Sequence, residues 1–283
     1  MTPMTDPQPQ PPPQPPPRPA RSPRRLHPLV VSVAVLVPLI PIVIALTLGA
    51  GGAVTAARTT TTAAHFTPVP AAAKPAQQAN LLLPTGRGAL VAAVDHRTVM
   101  RVTPGGRAFA KLATKTTFGS PTTVWVARLS GRWLGVVTSQ AGNNRLGWIP
   151  ASDASLTRVQ WELKLSLAAR KLTVLHANRV VERYTVAIGA PGNPTPTGRF
   201  AVTDRLLTGD PAGPYGCCIL ALSALAPHAI QDWSGGNRIA IHSTPETSSI
   251  GQAVSHGCVR LTLPEGRWLI AHIPLGTPTL ISG

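Results

Sequence analysis

The sequence predicts a mainly β protein with two folded parts, and three features of its pattern support this. Between residues 81 and 156, short apolar runs are broken by glycine-containing turns, a pattern typical of a small all-β domain. Residues 161–167 then alternate strictly between apolar and polar side chains, as a half-buried strand does. In the second part, 157–283, convincing helical spacing occurs only at 264–271. We therefore expect a small β-barrel followed by a β-sandwich with one or two short helices.

Three stretches precede the folded parts. Residues 1–27 carry proline runs spaced by glutamine, which cannot form a core, so we expect a disordered cytoplasmic tail. Residues 29–50 contain no charged side chain, and as a helix they would rise about 33 Å, enough to cross a bilayer core. We therefore predict a single transmembrane helix at 28–50. Residues 51–80 are rich in Gly, Ala, Thr and Pro and are predicted to be a flexible linker.

Four arginines before the apolar segment predict its orientation in the membrane. By the positive-inside rule, the tail lies in the cytoplasm and both folded parts lie outside it, anchored to the cell membrane on the cell-wall side. A cleaved signal peptide is the alternative, because small residues follow at 53–57. The arginines are Arg18, Arg21, Arg24 and Arg25.

The first folded part is the most basic region of the chain. Between residues 80 and 159 there are ten Lys or Arg against two Asp or Glu, a net charge of +8. This charge fits weak attraction to anionic wall polymers, although a solvated basic face would have the same composition. A plain spacer and a wall-binding module therefore both stay open. The predicted strands are 99–102, 109–112, 124–129, 133–137 and 147–149.

In the second part, the predicted strands surround a rigid loop. Residues 189–200 combine Pro and Gly, which indicates a loop of restricted conformation. Strands are predicted at 161–167, 171–176, 180–188, 200–202, 237–242 and 276–281.

The net charge of the whole chain narrows the classes of partner. At +16 over 283 residues, the chain suits nucleic acid, an anionic lipid surface or an acidic polymer. The predicted topology excludes nucleic acid, because it places the folded parts outside the cytoplasm.

Three cysteines are few for an exported protein, where thiols tend to pair or to have a function. Cys217 and Cys218 are adjacent, and a bridge between neighbours is strained, so we expect two unpaired, half-buried thiols there. An odd number leaves at least one thiol free within a monomer. Cys258 stands apart because of the residues around it.

Cys258 has the surroundings of a nucleophile. His242 precedes it by sixteen residues, and Gly257 directly before it lets a substrate approach the backbone without meeting a side chain. A thiol that attacks a carbonyl needs an imidazole to move protons and backbone N–H groups to hold the oxyanion. An adjacent imidazolium would lower the pKa of the thiol. The backbone carbonyl of Ser243 is the expected partner for the other ring nitrogen of His242.

Two further residues have open roles. His256 is expected to support the turn at Cys258, with a role as the base as its alternative. Arg260 suits either a carboxylate anchor for substrate or a structural ion pair.

These residues carry a resemblance to a known family. Residues 161–283 resemble the YkuD-type L,D-transpeptidase catalytic domain, through the loop 194–200, the strand ending at His242, the run 255–261 (Ser-His-Gly-Cys-Val-Arg-Leu) and the closing 273–278. The resemblance implies Cys258 as nucleophile and His242 as proton donor and acceptor. Many members have glycine where this chain has Ser243. Residues 81–156 resemble a bacterial SH3-like barrel.

The resemblance also implies the remaining parts of the site. Gly257 and Cys258 are implied as oxyanion-hole donors through their backbone N–H groups, and peptidoglycan stem peptides are implied as the substrate. No cofactor and no metal are implied. The residues expected to meet substrate are Ser243, Ser255, His256 and Arg260.

Four other functions are alternatives to L,D-transpeptidation for this chain. The same site could hydrolyse stem peptides as an L,D-carboxypeptidase. A papain-like hydrolase is disfavoured because it places its cysteine before its histidine. A non-catalytic wall-binding protein is disfavoured by the intact Cys258 and His242. A metal site is disfavoured because the spacing matches no usual zinc pattern; its ligands would be Cys217, Cys218, His242, His256 and Cys258.

Overall fold

The computed structural model describes residues 83–228 and 237–283, which belong to one compact unit. The predicted tail, anchor and linker (1–27, 28–50 and 51–80) lie outside the described residues. Within the described part of the chain, no helix is both long and apolar enough to span a bilayer.

Residues 83–159 contain a seven-stranded antiparallel sheet in the order β3-β2-β6-β5-β4-β1-β7. Its core is formed by buried aliphatic residues such as Met100, Leu134 and Ile149. The all-β prediction is confirmed for this part, and the more specific SH3-like barrel stays a prediction. The strands are β1 (Ala89–Val94), β2 (Thr98–Arg101), β3 (Ala108–Leu112), β4 (Thr123–Ser130), β5 (Trp133–Val137), β6 (Gly147–Pro150) and β7 (Ala154–Val159).

The main sheet of the second part has eight strands in the order β10-β9-β8-β17-β12-β13-β14-β16, and β11 pairs with β15 in a separate parallel ribbon. Within the main sheet, β17–β8 and β14–β16 are parallel, and the other pairs are antiparallel. The strands are β8 (Trp161–Ser166), β9 (Lys171–His176), β10 (Arg179–Thr185), β11 (Ile188–Gly189), β12 (Gly198–Leu207), β13 (Cys218–Leu225), β14 (Arg238–Ser243), β15 (Ala253–Ser255), β16 (Val259–Leu261) and β17 (Pro278–Ser282).

One α-helix, α1 (Leu263–His272), follows β16 and confirms the predicted helix. Its start is satisfied locally, because the Glu265 carboxylate accepts the backbone N–H of Thr262 at 2.8 Å. Leu269 points into the core of the second part, which also contains the fully buried Phe200. The helix thereby packs on strands β13 and β14 of the main sheet. His242 lies on β14.

Short, specific contacts join the two sheets. The side-chain amide of Asn143 donates to the carbonyl of Leu225 at 2.7 Å and accepts the N–H of Leu225 at 2.9 Å. Asn144 likewise donates to the carbonyl of Thr197 at 3.1 Å. Because each asparagine holds backbone groups of the second part, one loop after β5 fixes the position of the first sheet against it.

The backbone of the second part also approaches the first sheet closely at Gly276. A Cβ atom there would lie 2.9 Å from Cγ1 of Val91 and 3.0 Å from Cγ2 of Thr123, so the loop before β17 lies directly on β1 and β4. Gly276 also has a φ of +78°, a region that glycine tolerates best.

We predict that Gly276→Ala destabilises the protein more than its backbone angle alone explains. Gly209 is the matched control, because its φ is +73° and a Cβ there would meet no atom within 4 Å. Gly209→Ala should lose roughly 1 kcal/mol of unfolding free energy from the left-handed backbone. Gly276→Ala should lose about 1–3 kcal/mol more through overpacking, measured by denaturant unfolding. Equal losses would show that the junction is not tightly packed.

Candidate active site

The structure brings Cys258 and His242 into one small cavity. Parallel pairing of β14 with β16 aligns His242 with Arg260, so Cys258 lies just before the strand beside the histidine. Both are buried, with 7% of Cys258 and 3% of His242 exposed. The cavity measures about 180 Å³. Its lining residues are Pro214, Tyr215, His242, Ser255, His256, Cys258 and Arg260.

The orientation of His242 is set by its own strand end. Its Nδ1 lies 2.8 Å from the carbonyl oxygen of Ser243, which confirms the predicted partner. Since a carbonyl only accepts, Nδ1 carries the proton and Nε2 is the basic nitrogen. The ring of Tyr215 packs against the imidazole edge-on, with centroids 5.0 Å apart.

The turn before Cys258 depends on glycine and on two hydroxyls. Gly257 has a φ of +112°, and a Cβ there would lie 2.8 Å from Cδ1 of Ile239. The Ser255 hydroxyl donates to the Cys258 carbonyl at 2.5 Å and accepts the Gly257 N–H at 3.1 Å. The Thr195 hydroxyl donates to the Gly257 carbonyl at 2.9 Å. The backbone at the nucleophile is therefore held from both sides.

The two N–H groups predicted as oxyanion donors, those of Gly257 and Cys258, have different surroundings. The Gly257 N–H donates to the Ser255 hydroxyl, and its role as an oxyanion donor stays a prediction. By contrast, the Cys258 N–H makes no hydrogen bond to any residue that the structure describes. Ser255 lines the cavity as predicted, but its hydroxyl is used to hold the turn.

Ser243 does not meet the cavity. It is fully buried, at 0% exposure, and its hydroxyl accepts the backbone N–H groups of Cys217 and Cys218. A side chain without solvent access cannot contact a bound peptide, so its predicted substrate-binding role is wrong. Its carbonyl, rather than its hydroxyl, reaches the site, through His242.

Arg260 and His256 form the polar side of the cavity, as predicted for residues near substrate. The guanidinium of Arg260 makes a long ion pair of 3.9 Å with Glu246, which is largely exposed. Its buried Nε has no hydrogen-bond partner within the described ranges. His256 is exposed at the rim.

Burial dominates the protonation of the Cys258–His242 pair. It lowers the pKa of His242 to about 4, although the hydrogen bond that Nδ1 donates to the Ser243 carbonyl favours the charged form. Burial also raises the pKa of the Cys258 thiol, and contact with the Ala240 backbone and the charge of Arg260 offset this only in part. The expectation of an imidazolium beside a thiolate is therefore wrong for the unliganded protein, in which both groups are neutral near pH 7.

The two adjacent cysteines are paired, which corrects the expectation of two free thiols. Cys217 and Cys218 form a disulfide, and Cys258 is the free cysteine. Their sulfurs are therefore not available as thiolate ligands for the metal site considered above. In the described ranges, no group of three or more His, Cys, Asp or Glu side chains is placed to hold a metal ion.

Two contributors were missed by the sequence reasoning. Tyr215 lies in a Gly-Pro-Tyr-Gly turn before the cysteine pair, and an aromatic residue inside such a turn was the available signal. Thr195 lies in the Pro-Thr-Pro-Thr loop, one of the segments that carry the family resemblance. Its hydroxyl in that loop was the available signal for its contact with Gly257.

Comparisons with known proteins find relatives of the second part of the chain. Residues 161–281 match the family model of the YkuD L,D-transpeptidase catalytic domain. The putative L,D-transpeptidase YkuD of Bacillus subtilis is 32% identical over 124 residues, which cover 44% of this chain and 67% of that protein. L,D-transpeptidase 1 of Mycobacterium tuberculosis is 30% identical over 129 residues, covering 42% and 49%.

Among solved structures, an L,D-transpeptidase from Mycobacterium smegmatis matches with a TM-score of 0.35 and 20% identity, covering 57% of this chain and 90% of that one. The first sheet, 83–159, lies outside the residues that match the family model. By its sequence match over the second part, the chain belongs to the YkuD family of L,D-transpeptidase catalytic domains.

Proposed function

We propose that this L,D-transpeptidase cross-links peptidoglycan stem peptides through a thioester on Cys258, with His242 moving the protons. The observation that carries the proposal is that both side chains line one cavity, with the histidine Nδ1 held on the Ser243 carbonyl. A thiol, a neutral imidazole of defined tautomer and a backbone N–H are the parts that thiol acyl transfer requires.

The first half of the reaction acylates Cys258. Because the imidazole is neutral near pH 7, Nε2 of His242 takes the thiol proton as the sulfur attacks the amide carbonyl before the terminal D-alanine. The carbon–sulfur bond forms, the carbon–nitrogen bond breaks, and the histidine passes the proton to the leaving D-alanine amine. Since the thiol starts protonated, His242 must remove its proton for the sulfur to attack.

The Cys258 N–H is the proposed oxyanion donor. This N–H makes no hydrogen bond to any described residue, and it belongs to the residue whose sulfur attacks. A donor of this kind contributes on the order of 3 kcal/mol to transition-state stabilisation.

The second half transfers the acyl group. An amine of a neighbouring stem attacks the thioester, His242 takes the amine proton, and the proton returns to the departing sulfur. Water in place of the amine would give hydrolysis at the same site. Arg260, with its unpartnered Nε, is proposed to hold a stem carboxylate, and His256 to contact the peptide at the rim.

The remaining parts of the chain are proposed to place this reaction at the wall. The uncharged segment 29–50 supports a membrane anchor, with the catalytic domain outside the cytoplasm. The charge of +8 between residues 80 and 159 supports contact of the first domain, an SH3-like barrel in this proposal, with anionic wall polymers.

We predict that Cys258→Ala abolishes cross-linking and covalent labelling by a carbapenem. Loss of a nucleophile should lower turnover by more than about 10³-fold. Intact-protein mass spectrometry would detect the carbapenem adduct on the wild type and none on the variant, with circular dichroism to show that the variant is folded. An adduct of undiminished yield on Cys258→Ala would disprove the assignment.

We also predict that an added acceptor amine diverts product from the free acid to the cross-linked dimer. Mass spectrometry of products from a purified tetrapeptide stem, with and without acceptor, separates the two fates of the thioester. Release of D-alanine with only the hydrolysed tripeptide, at every acceptor concentration, would assign the chain as a carboxypeptidase.

His242 should make stability depend on pH. Its pKa is about 4 in the folded protein and near 6.5 in the unfolded chain. Between these two pH values the imidazole is protonated in the unfolded chain and neutral in the folded protein, so the free energy of unfolding falls as the pH falls. Between pH 6.5 and 4, the wild type should therefore lose about 3 kcal/mol relative to His242→Gln, which has no such group. Denaturant unfolding of both proteins at several pH values gives this difference. A difference that does not change with pH would contradict the burial of a neutral imidazole.

A further inference from the structure

The hydroxyl of Ser243 is the meeting point of a short segment, 215–218, and the strand end that carries His242. It accepts the N–H of Cys217 at 2.9 Å and of Cys218 at 3.2 Å. Its single proton lies within reach of two acceptors, the carbonyl of Tyr215 and the sulfur of Cys217, each at 3.4 Å. A hydroxyl has one proton and two lone pairs, so the two N–H groups and these two acceptors use its full capacity.

Two separate routes lead from Ser243 to the imidazole. Its carbonyl accepts from Nδ1 of His242 at 2.8 Å. Its hydroxyl holds the 215–218 segment, and the Tyr215 ring of that segment packs on the same imidazole with centroids 5.0 Å apart. Ser243 therefore binds Nδ1 of His242 directly through its carbonyl, and it supports the aromatic ring packed on the imidazole indirectly through its hydroxyl.

The space around Ser243 leaves its side chain no alternative position. A Cβ on Gly216 would lie 2.5 Å from Oγ of Ser243, and a Cβ on Gly266 would lie 2.7 Å from its Cβ. The serine is thus enclosed between the 215–218 segment and helix α1. Behind it, Ile219 pairs with His242 across β13 and β14, which continues the same support.

We propose that the Ser243 hydroxyl is a positioning residue for His242 and acts through the 215–218 segment. The inference rests on the proposed role of His242 as the base. By holding the segment, the hydroxyl keeps the Tyr215 ring against the imidazole and keeps water away from it. The adjacent disulfide joins the side chains of the two residues whose N–H groups Ser243 accepts, which restricts the segment further.

Loss of the hydroxyl should be visible in the titration of His242. Two buried N–H groups would lose their acceptor, the segment would move, and water would reach the ring. The ring would then be easier to protonate, because its burial is what disfavours the charged form. The other titratable groups facing it across the cavity, Cys258, His256, Arg260 and the Tyr215 phenol, are retained.

The test is the pKa of His242, measured by NMR titration of its ring protons in the full chain, for wild type, Ser243→Ala and Ser223→Ala, with His242→Gln to assign the signal. Ser223 is the matched control: it is buried at 2% exposure and accepts the Ala201 N–H at 3.0 Å, on β13 but outside the cavity. We expect the pKa of His242 to rise by about one unit or more in Ser243→Ala alone.

The outcomes separate the positioning role from the proposed function. A His242 pKa that is the same in wild type, Ser243→Ala and Ser223→Ala would overturn the positioning role while leaving His242 as the base. Carbapenem labelling of His242→Gln at the wild-type rate would overturn the base assignment, and the positioning role with it. The titration needs no stem peptide, so failure to find a natural substrate does not affect the result.

A second pair of variants covers the case in which Ser243→Ala does not fold. Tyr215→Leu removes the ring from the imidazole, whereas Tyr215→Phe keeps it. The pKa of His242 should rise in Tyr215→Leu and stay near the wild-type value in Tyr215→Phe. Equal pKa values of His242 in these two variants would contradict support of His242 through the 215–218 segment.

Discussion

The parallel pairing of β14 with β16 is the constraint on which the site depends. It places His242 opposite Arg260 and brings the chain back, after the loop between them, at Cys258. A parallel pair cannot be closed by a two-residue turn, so the intervening residues must leave the sheet and return to it. They do so through β15, which pairs with β11 beside the loop that supplies Thr195. The nucleophile and the base are therefore neighbours because of the sheet, although they are distant in sequence.

Around that pairing, the backbone and a few buried hydroxyls determine the chemistry. Ser243 orients the imidazole with its carbonyl, while Ser255 and Thr195 hold the two sides of the turn at Gly257. These groups are uncharged, and the burial of His242 next to them makes the histidine a neutral proton acceptor. Arg260 is the permanent charge at the cavity and adds to the same effect, since it disfavours a second positive charge on His242.

Local patterns were sufficient to predict the elements with strong periodicity and the residues with reactive side chains. The alternation at β8, the helical spacing at α1 and the glycine before Cys258 were all visible in sequence. Strands β1 and β13 were missed because they are buried on both faces and show no alternation. The buried role of Ser243 and the engaged N–H of Gly257 were also missed. These depend on contacts such as Ser243 with Cys217, twenty-six residues apart, which no local pattern encodes.

The disulfide between Cys217 and Cys218 has a consequence for the nucleophile. The chain has three cysteines, so with these two paired Cys258 is the sole remaining sulfhydryl. In an oxidising surrounding, an attacking sulfur with a free neighbour can be trapped by mispairing within its own chain. Here each molecule has one free thiol, that of Cys258, and no second free thiol in the same chain with which it could form a disulfide. A maleimide dye should consequently attach with one-to-one stoichiometry and report on the catalytic cavity alone.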